Sequence, residues 1–153
     1  MDSVELVVRS DACVIVASAE ARRLAARAGA HRQVQWEFAT VVTEAATNLV
    51  VHAGGGRVSL RHVQELESWL ELDSVDRGPG IRGLCDTLFV ALAQPPELRT
   101  DGPAGPTLRQ GLGAIARLCD ELRIVSDRAN GTRIQVRMRL HPAAHAGRAI
   151  TRG

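Results

Sequence analysis

Residues Val41 to Gly56 read "VVTEAATNLVVHAGGG", and the reading of this stretch decides the fold. The apolar spacing is that of a helix. Glu44, Asn48 and His52 interrupt it at steps of four, so they share one face. Three glycines, Gly54 to Gly56, then stop the helix. A polar stripe on such a helix belongs to the core, to solvent or to a site. What lies around the stretch has to separate these cases.

Upstream, "VELVVRS" (Val4 to Ser10) reads as a short strand. Asp11 to Gly29 has a helical, alanine-rich pattern, with Asp11 as N-cap and Gly29 as stop. The helix that carries the stripe should run from about His31 to Ala53. Downstream, "RVSLRHV" (Arg57 to Val63) and "WLELDSVD" (Trp69 to Asp76) alternate polar and apolar residues, the pattern of half-exposed strands. The short polar "QELES" between them makes a hairpin. "DRGPGI" (Asp76 to Ile81) breaks the pattern. A short helix is expected over Gly83 to Ala93. Gln94 to Gln110 holds four prolines and two glycines and reads as a long loop. Gly111 to Leu122 is led by glycine and then helical. "LRIVSD" and Thr132 to Leu140 are strands around the turn signal Asn130-Gly131. Residues 141 to 153 lack periodicity and read as a loose tail.

The resulting order is β-α-α-β-β-α-loop-α-β-β in one domain, residues 1 to 140, with no internal repeat. Hairpins favour a largely antiparallel mixed sheet, and helices with one apolar face each should cover one side of it. The fold class is therefore α+β, a two-layer sandwich.

Composition narrows the function. The chain has 153 residues, 45% hydrophobic and 24% charged, with net charge +2. That is a globular composition without the basic excess or aromatic runs of a nucleic-acid binder. No apolar run reaches the length of a membrane span, and the N-terminus lacks a signal-peptide pattern. Cys13, Cys85 and Cys119 are few, odd in number and widely spaced, which predicts reduced, buried thiols in a cytoplasmic protein. His141 and His145 sit in the tail, where solvation is a better reading than metal ligation. All nineteen basic residues are arginine. A Walker A loop needs a lysine on the phosphates, so phosphate would have to be held by other means.

Three elements stand in order: Glu44 and Asn48 on a helix, Asp76-Arg77-Gly78-Pro79-Gly80 after a strand, and Gly111-Leu112-Gly113 before a helix. Each is weak alone, since helix charges are often solvated and glycine pairs often mark plain turns. Together they resemble the N, G1 and G2 boxes of the GHKL ATPase/kinase superfamily, the Bergerat fold. The likeness is strongest to its anti-sigma serine-protein kinase branch, the RsbT-type switch kinases. It covers roughly Val4 to Leu140.

The resemblance implies ATP and Mg²⁺ as ligands, and the residue chemistry agrees. Magnesium prefers oxygen and keeps several waters, so the Asn48 side-chain oxygen can supply one ligand. Glu44 would act as general base on a serine hydroxyl. The Asp76 carboxylate accepts hydrogen bonds, which suits the adenine amino group. Gly78 and Gly80 would let backbone approach the base. The N–H groups of Gly111, Leu112 and Gly113 at a helix start would bind phosphate without lysine. Arg109 would reach the terminal phosphate, the alternative being a solvated loop arginine, and Thr107 would add a hydroxyl to the phosphate contacts. Ile81 and Thr132 complete the nucleotide contacts that the resemblance implies. His52 reads as structural, at the helix end or the mouth of the site.

The segment between the G1 box and Gly111 is longer and richer in proline than in the closest members of that branch, and from Leu88 to Gln110 Thr100 and Thr107 are its only hydroxyls. Turnover is therefore less secure than nucleotide binding. As substrate the resemblance implies a serine on a STAS-domain antagonist, in a bacterial partner-switching pathway. The rival reading is a docking module that activates a PP2C-type phosphatase or sequesters a sigma factor. A sensor histidine kinase would need a helix pair before Val4. The dimers of some relatives leave a homodimer open.

Overall fold

A computed structural model of the chain describes residues 2–84 and 108–141. Its elements are β1 (Ser3–Val8), α1 (Asp11–Arg27), α2 (Arg32–Ala53), β2 (Gly56–Gln64), β3 (Ser68–Val75), α3 (Leu108–Leu118), β4 (Glu121–Asp127) and β5 (Gly131–Arg139). The expected helix over Gly83 to Ala93, the loop with Thr100 and Thr107, Cys85 and the tail from residue 142 lie wholly or mainly outside the described residues.

The sheet order is β1-β2-β3-β5-β4, and each of these four pairings is antiparallel. The expected two-layer sandwich is present, and the sheet is antiparallel at every described pair. The last strand in sequence is inserted between β3 and β4. This insertion brings β5 beside the end of β3, where the chain turns into "DRGPGI".

Alternation sets the two faces of the sheet. Leu60 opposes Leu72, which opposes Val136, and Leu70 opposes Met138. All five are buried under the helices. α1 buries Ala17, Ala21 and Ala25 at steps of four, with Leu24 beside them. Small side chains on that stripe let α1 lie close on α2, which is the larger helix–helix contact of the fold. α2 buries Phe38, Val41, Val42, Ala45 and Leu49 against the sheet. Full burial of one such Leu or Phe side chain contributes about 2 kcal/mol.

The opposite sheet face is polar. Glu71 bridges Arg61 at 3.2 Å and Arg137 at 3.0 Å. The Arg137 and Arg139 guanidiniums lie over the Trp69 ring, 4.4 and 4.9 Å from its centroid. Trp69 is buried although it sits on this face, because the arginine stems cover it.

The caps correct one expectation. The N-cap of α1 is Ser10, and Asp11 is the first helical residue, where its charge faces the positive end of the helix dipole. Ser10 makes no side-chain cap bond; its hydroxyl lies 3.3 Å from the Cys13 sulfur instead. At the other end Gly29 behaves as expected. Its N–H donates to Ala26 O, and the Ala30 N–H donates to Ala25 O at 3.0 Å, closing a Schellman turn. α2 starts at Arg32, one residue after the expected boundary, and ends on Gly54 in the left-handed region. Cys119 is buried as expected, whereas Cys13 is half-exposed, and neither is in a disulfide.

Candidate functional site

The stripe on α2 grades from half-buried Glu44 through buried Asn48 to exposed His52. Asn48 and His52 line a cleft whose far wall is formed by Asp76, Gly80, Ile81 and Thr132. The cleft holds about 30 Å³ of free volume. That is room for a water molecule rather than a purine, so a base enters only if the walls part. His52 is exposed and lies at the mouth, one of the two places expected for it.

Asn48 is the anomaly of this wall. It is 9% exposed, and its Nδ2 has no hydrogen-bond partner among the described residues. A buried amide left unpaired costs about 1–3 kcal/mol. Its Oδ1 and the Glu44 Oε2 both face Gly111 of α3. A Cβ at position 111 would stand 2.9 Å from Glu44 Oε2 and 3.2 Å from Asn48 Oδ1. Two of the three sequence motifs therefore meet closely, and a Cβ at position 111 would have to push the Glu44 carboxylate aside.

The third motif meets them across the cleft. Asp76 Oδ1 accepts from the Gly78 N–H at 2.8 Å and from the Thr132 N–H at 3.2 Å. The Asp76 N–H donates to Thr132 O at 2.9 Å. Asp76 Oδ2 takes no hydrogen bond among the described residues, so one carboxylate oxygen is held and the other keeps its lone pairs. The glycines here serve a different purpose from the one the sequence suggests. A Cβ on Gly78 would lie 2.8 Å from the Ala53 Cβ, and one on Gly80 would lie 2.7 Å from Asp127 O. What demands glycine is protein packed against protein, namely the loop pressed between the end of α2 and the β4–β5 turn.

That turn contributes residues that sequence reasoning did not select. Gly131 has φ +81° and a Cβ there would fall 2.2 Å from Asp76 O, so the turn is packed directly on the "DRGPG" backbone. Asp127 fastens it, accepting from the N–H groups of Ala129 and Asn130 and from the Asn130 side chain. The Asn130 side-chain bond, then that N–H, hold the Asp127 carboxyl below its ordinary value. Ser126 Oγ accepts from the Ile81 N–H at 2.7 Å and lies 2.8 Å from Thr132 Oγ1. Ser74 is also buried at the cleft. Both serines occupy inward positions of strands whose neighbouring inward residues are leucine or isoleucine, a signal that the alternation alone could have supplied.

Helix α3 differs from expectation. It begins at Leu108, so Gly111 and Gly113 are its fourth and sixth residues rather than its opening. Leu112 is wholly buried in the core. Arg109 is the second residue of the helix, and its side chain lies outside the described residues, as does Thr107.

The profile of the family described as "Histidine kinase-like ATPase domain" matches residues 9–140. The chain belongs to this family. The GHKL likeness of its three motifs is thereby accounted for. Among similar proteins is "Serine/threonine-protein kinase RsbT" of Bacillus subtilis (strain 168), 28% identical over 127 residues that cover 80% of this chain and 85% of that protein. Among solved structures is the histidine kinase domain from the Erythrobacter litoralis EL346 blue-light activated histidine kinase, with 20% identity and a TM-score of 0.47. The match covers 84% of this chain and 60% of that one. The mycobacterial sensor histidine kinase MprB has 19% identity and a TM-score of 0.46, over 90% of this chain and 96% of that one.

For a member of this ATPase-domain family, the donor set is sparse. Among the described residues no group of three or more His, Cys, Asp or Glu side chains could hold a metal. One neutral amide and one carboxylate face the same volume. Such a set suits a hard cation that takes most of its ligands from phosphate and water. No helix of the described residues is long and apolar enough to cross a membrane.

Proposed function

We propose that the cleft binds ATP with Mg²⁺ and that the protein is a serine-protein kinase, phosphorylating a STAS-domain antagonist in a bacterial partner-switching pathway in the cytoplasm. The observation that carries this reading is Asn48: a buried, unpartnered amide beside a carboxylate, at a helix–helix contact with no room for a Cβ. The orphan is the Nδ2 donor, and a phosphate oxygen of the ligand would supply its acceptor. The similarity to a protein named as a serine/threonine kinase supports the same direction.

Asn48 Oδ1 would hold Mg²⁺, which when bound screens the triphosphate charge. The free Asp76 Oδ2 accepts from the adenine amino group, and Ile81 and Thr132 border the base, with Gly78 and Gly80 shaping the loop. The first turn of α3 presents its N–H groups to the phosphates, ahead of Gly111, Leu112 and Gly113. Arg109 supplies fixed positive charge to the terminal phosphate, and Thr107 a hydroxyl. Glu44 takes the proton of the substrate serine hydroxyl. The serine oxygen forms its bond to the γ-phosphorus as the bond from that phosphorus to the β,γ-bridging oxygen breaks, and ADP departs.

The test is transfer of labelled phosphate from ATP to a STAS-domain protein encoded beside this gene, with Mg²⁺. Wild type should transfer and Glu44→Ala should not. Undiminished transfer by Glu44→Ala removes the base from the scheme. Absence of transfer by wild type, with a PP2C-type phosphatase activated equally by wild type and Asn48→Ala, establishes the docking module instead.

A further inference from the structure

The sheet face turned away from the helices carries one row unlike the others. Val7 opposes Arg57, Arg57 opposes Val75, Val75 opposes Arg133, and Arg133 opposes Val125. Valine and arginine thus alternate across the full width of the described sheet. Val7 is 55% exposed and Val125 51%, at outward positions where a solvated sheet face would carry polar groups. Farther along the same face Arg61, Arg137 and Arg139 are bound to Glu71, Glu65 and Glu67. Arg57, by contrast, is exposed and holds no ion pair among the described residues. The same is true of Arg9, Arg77 and Arg128, which follow β1, β3 and β4 at this end of the sheet. The nearby Asp73, Asp76 and Asp127 are already hydrogen-bonded, to Arg133, to the Gly78 and Thr132 N–H groups, and to Asn130.

Uncompensated positive charge therefore stands beside uncovered apolar side chains. A nucleic-acid backbone would use the charge and gain nothing from the valines. A protein surface that alternates carboxylates with aliphatic side chains uses both. Spacing selects its form. Neighbouring strands lie about 4.8 Å apart, and side chains down one face of a helix recur about every 5.4 Å. A helix laid across the strands stays nearly in step with the row. Same-face residues of a strand recur about every 6.6 Å and fall out of step by the third position. We propose that this end of the outer sheet face docks an acidic amphipathic helix of a partner protein. Its carboxylates pair with Arg57 and with the N–H donors that Arg133 keeps beyond those held by Asp73, and its apolar residues cover Val7, Val75 and Val125. Arg9, Arg77 and Arg128 form the charged rim. The inference goes beyond the proposed ATP site and does not depend on it.

The probe is a synthetic peptide of about five helical turns, with leucine and glutamate alternating at one-turn steps down one face and alanine and glutamine elsewhere. Its affinity for the full chain is measured by calorimetry without nucleotide, at low and high salt. Wild type should bind it, more weakly as salt rises. Arg57→Glu, or glutamine in place of the peptide's glutamates, should weaken binding at least about tenfold. Val7→Ser should weaken it about threefold. The melting temperature of Arg57→Glu should stay level, because no ion pair is lost; if it falls, Arg128→Glu takes its place. Failure of wild type to bind the probe overturns the proposal. So does equal binding by wild type and the arginine variant, or by the two peptides. A wild-type dimer in sedimentation that Val7→Ser dissociates would assign the face to a second copy and overturn it as well. Tighter binding of a single-stranded oligonucleotide than of the peptide, lost in Arg57→Glu, would make the row a polyanion site and do the same. A wild type that binds the probe but no ATP would refute the nucleotide reading and leave this surface standing.

Discussion

Glu44 Oε2 lies 2.9 Å from the point that a Cβ on residue 111 would occupy. The first motif thus packs so closely on the third that a side chain at position 111 would push the Glu44 carboxylate aside. Gly111→Ala should separate stability from function. The intruded atom is the end of a flexible side chain, and alanine favours a helix over glycine by about 1 kcal/mol. The melting temperature should stay level or rise. Phosphate transfer should fall at least about tenfold, because displacing a base by even a fraction of an ångström costs alignment. A variant with wild-type transfer would show that the contact is incidental.

Asn48→Leu should stabilise the protein in the absence of nucleotide. It replaces an unpaired buried amide by an apolar group of similar size, a gain of about 1 kcal/mol. The same change should abolish Mg²⁺-dependent ATP binding. Urea denaturation and calorimetry on one preparation check both halves. Lower stability in Asn48→Leu would mean that the amide already has its partner.

Gly131→Ala should be among the most damaging single changes in the chain. The residue is left-handed at φ +81°, and the added carbon would fall 2.2 Å from Asp76 O, a backbone atom that cannot swing aside. Strain of this kind costs about 1–3 kcal/mol before any displacement is counted. A clear fall in melting temperature is expected, with loss of protection at the Thr132 amide in hydrogen exchange.

Acid should loosen the β4–β5 turn through Asp127. Its folded pKa is lowered from 3.8, first by the Asn130 side chain and then by the Asn130 N–H. The folded state therefore favours the ionised form. The stability this contributes is fully present above 3.8 and is lost as pH falls through the folded value. Asn130→Ala removes the largest cause, so an NMR titration of the Asp127 carboxyl should move back toward the ordinary value. An unmoved titration would assign the shift to the backbone alone.

Much of the fold was legible because it is written in periodicity. The hairpin of β2 and β3, the long helix α2 and the glycine stop at Gly29 follow from alternation, helical spacing and left-handed glycine, all local properties. The partners of Asp76 were not, because Thr132 and Ser126 come from strands placed by a sheet order that no local pattern encodes. A second reason for the glycines was hidden for the same cause. Sequence shows that Gly78 has no side chain, but only the packing of Ala53 against it shows which neighbour needs the space. The start of α3 at Leu108 was hidden by Gly111 and Gly113, whose low helix propensity is overridden by tertiary packing, with Leu112 and Ile115 of the same helix fully buried.

The insertion of β5 between β3 and β4 also has a kinetic side. Asp76 and Thr132 are 56 positions apart along the chain, so their pairing closes one of the larger loops in the molecule, and closures of that kind are slow. A nascent chain that has reached Val75 already owns both long helices and three paired strands, yet lacks the Asp76–Thr132 edge that would border a purine in the proposed site. That edge arrives with the final strand. Nucleotide should thus act on refolding only after the rate-limiting step, slowing unfolding while leaving the folding rate unchanged.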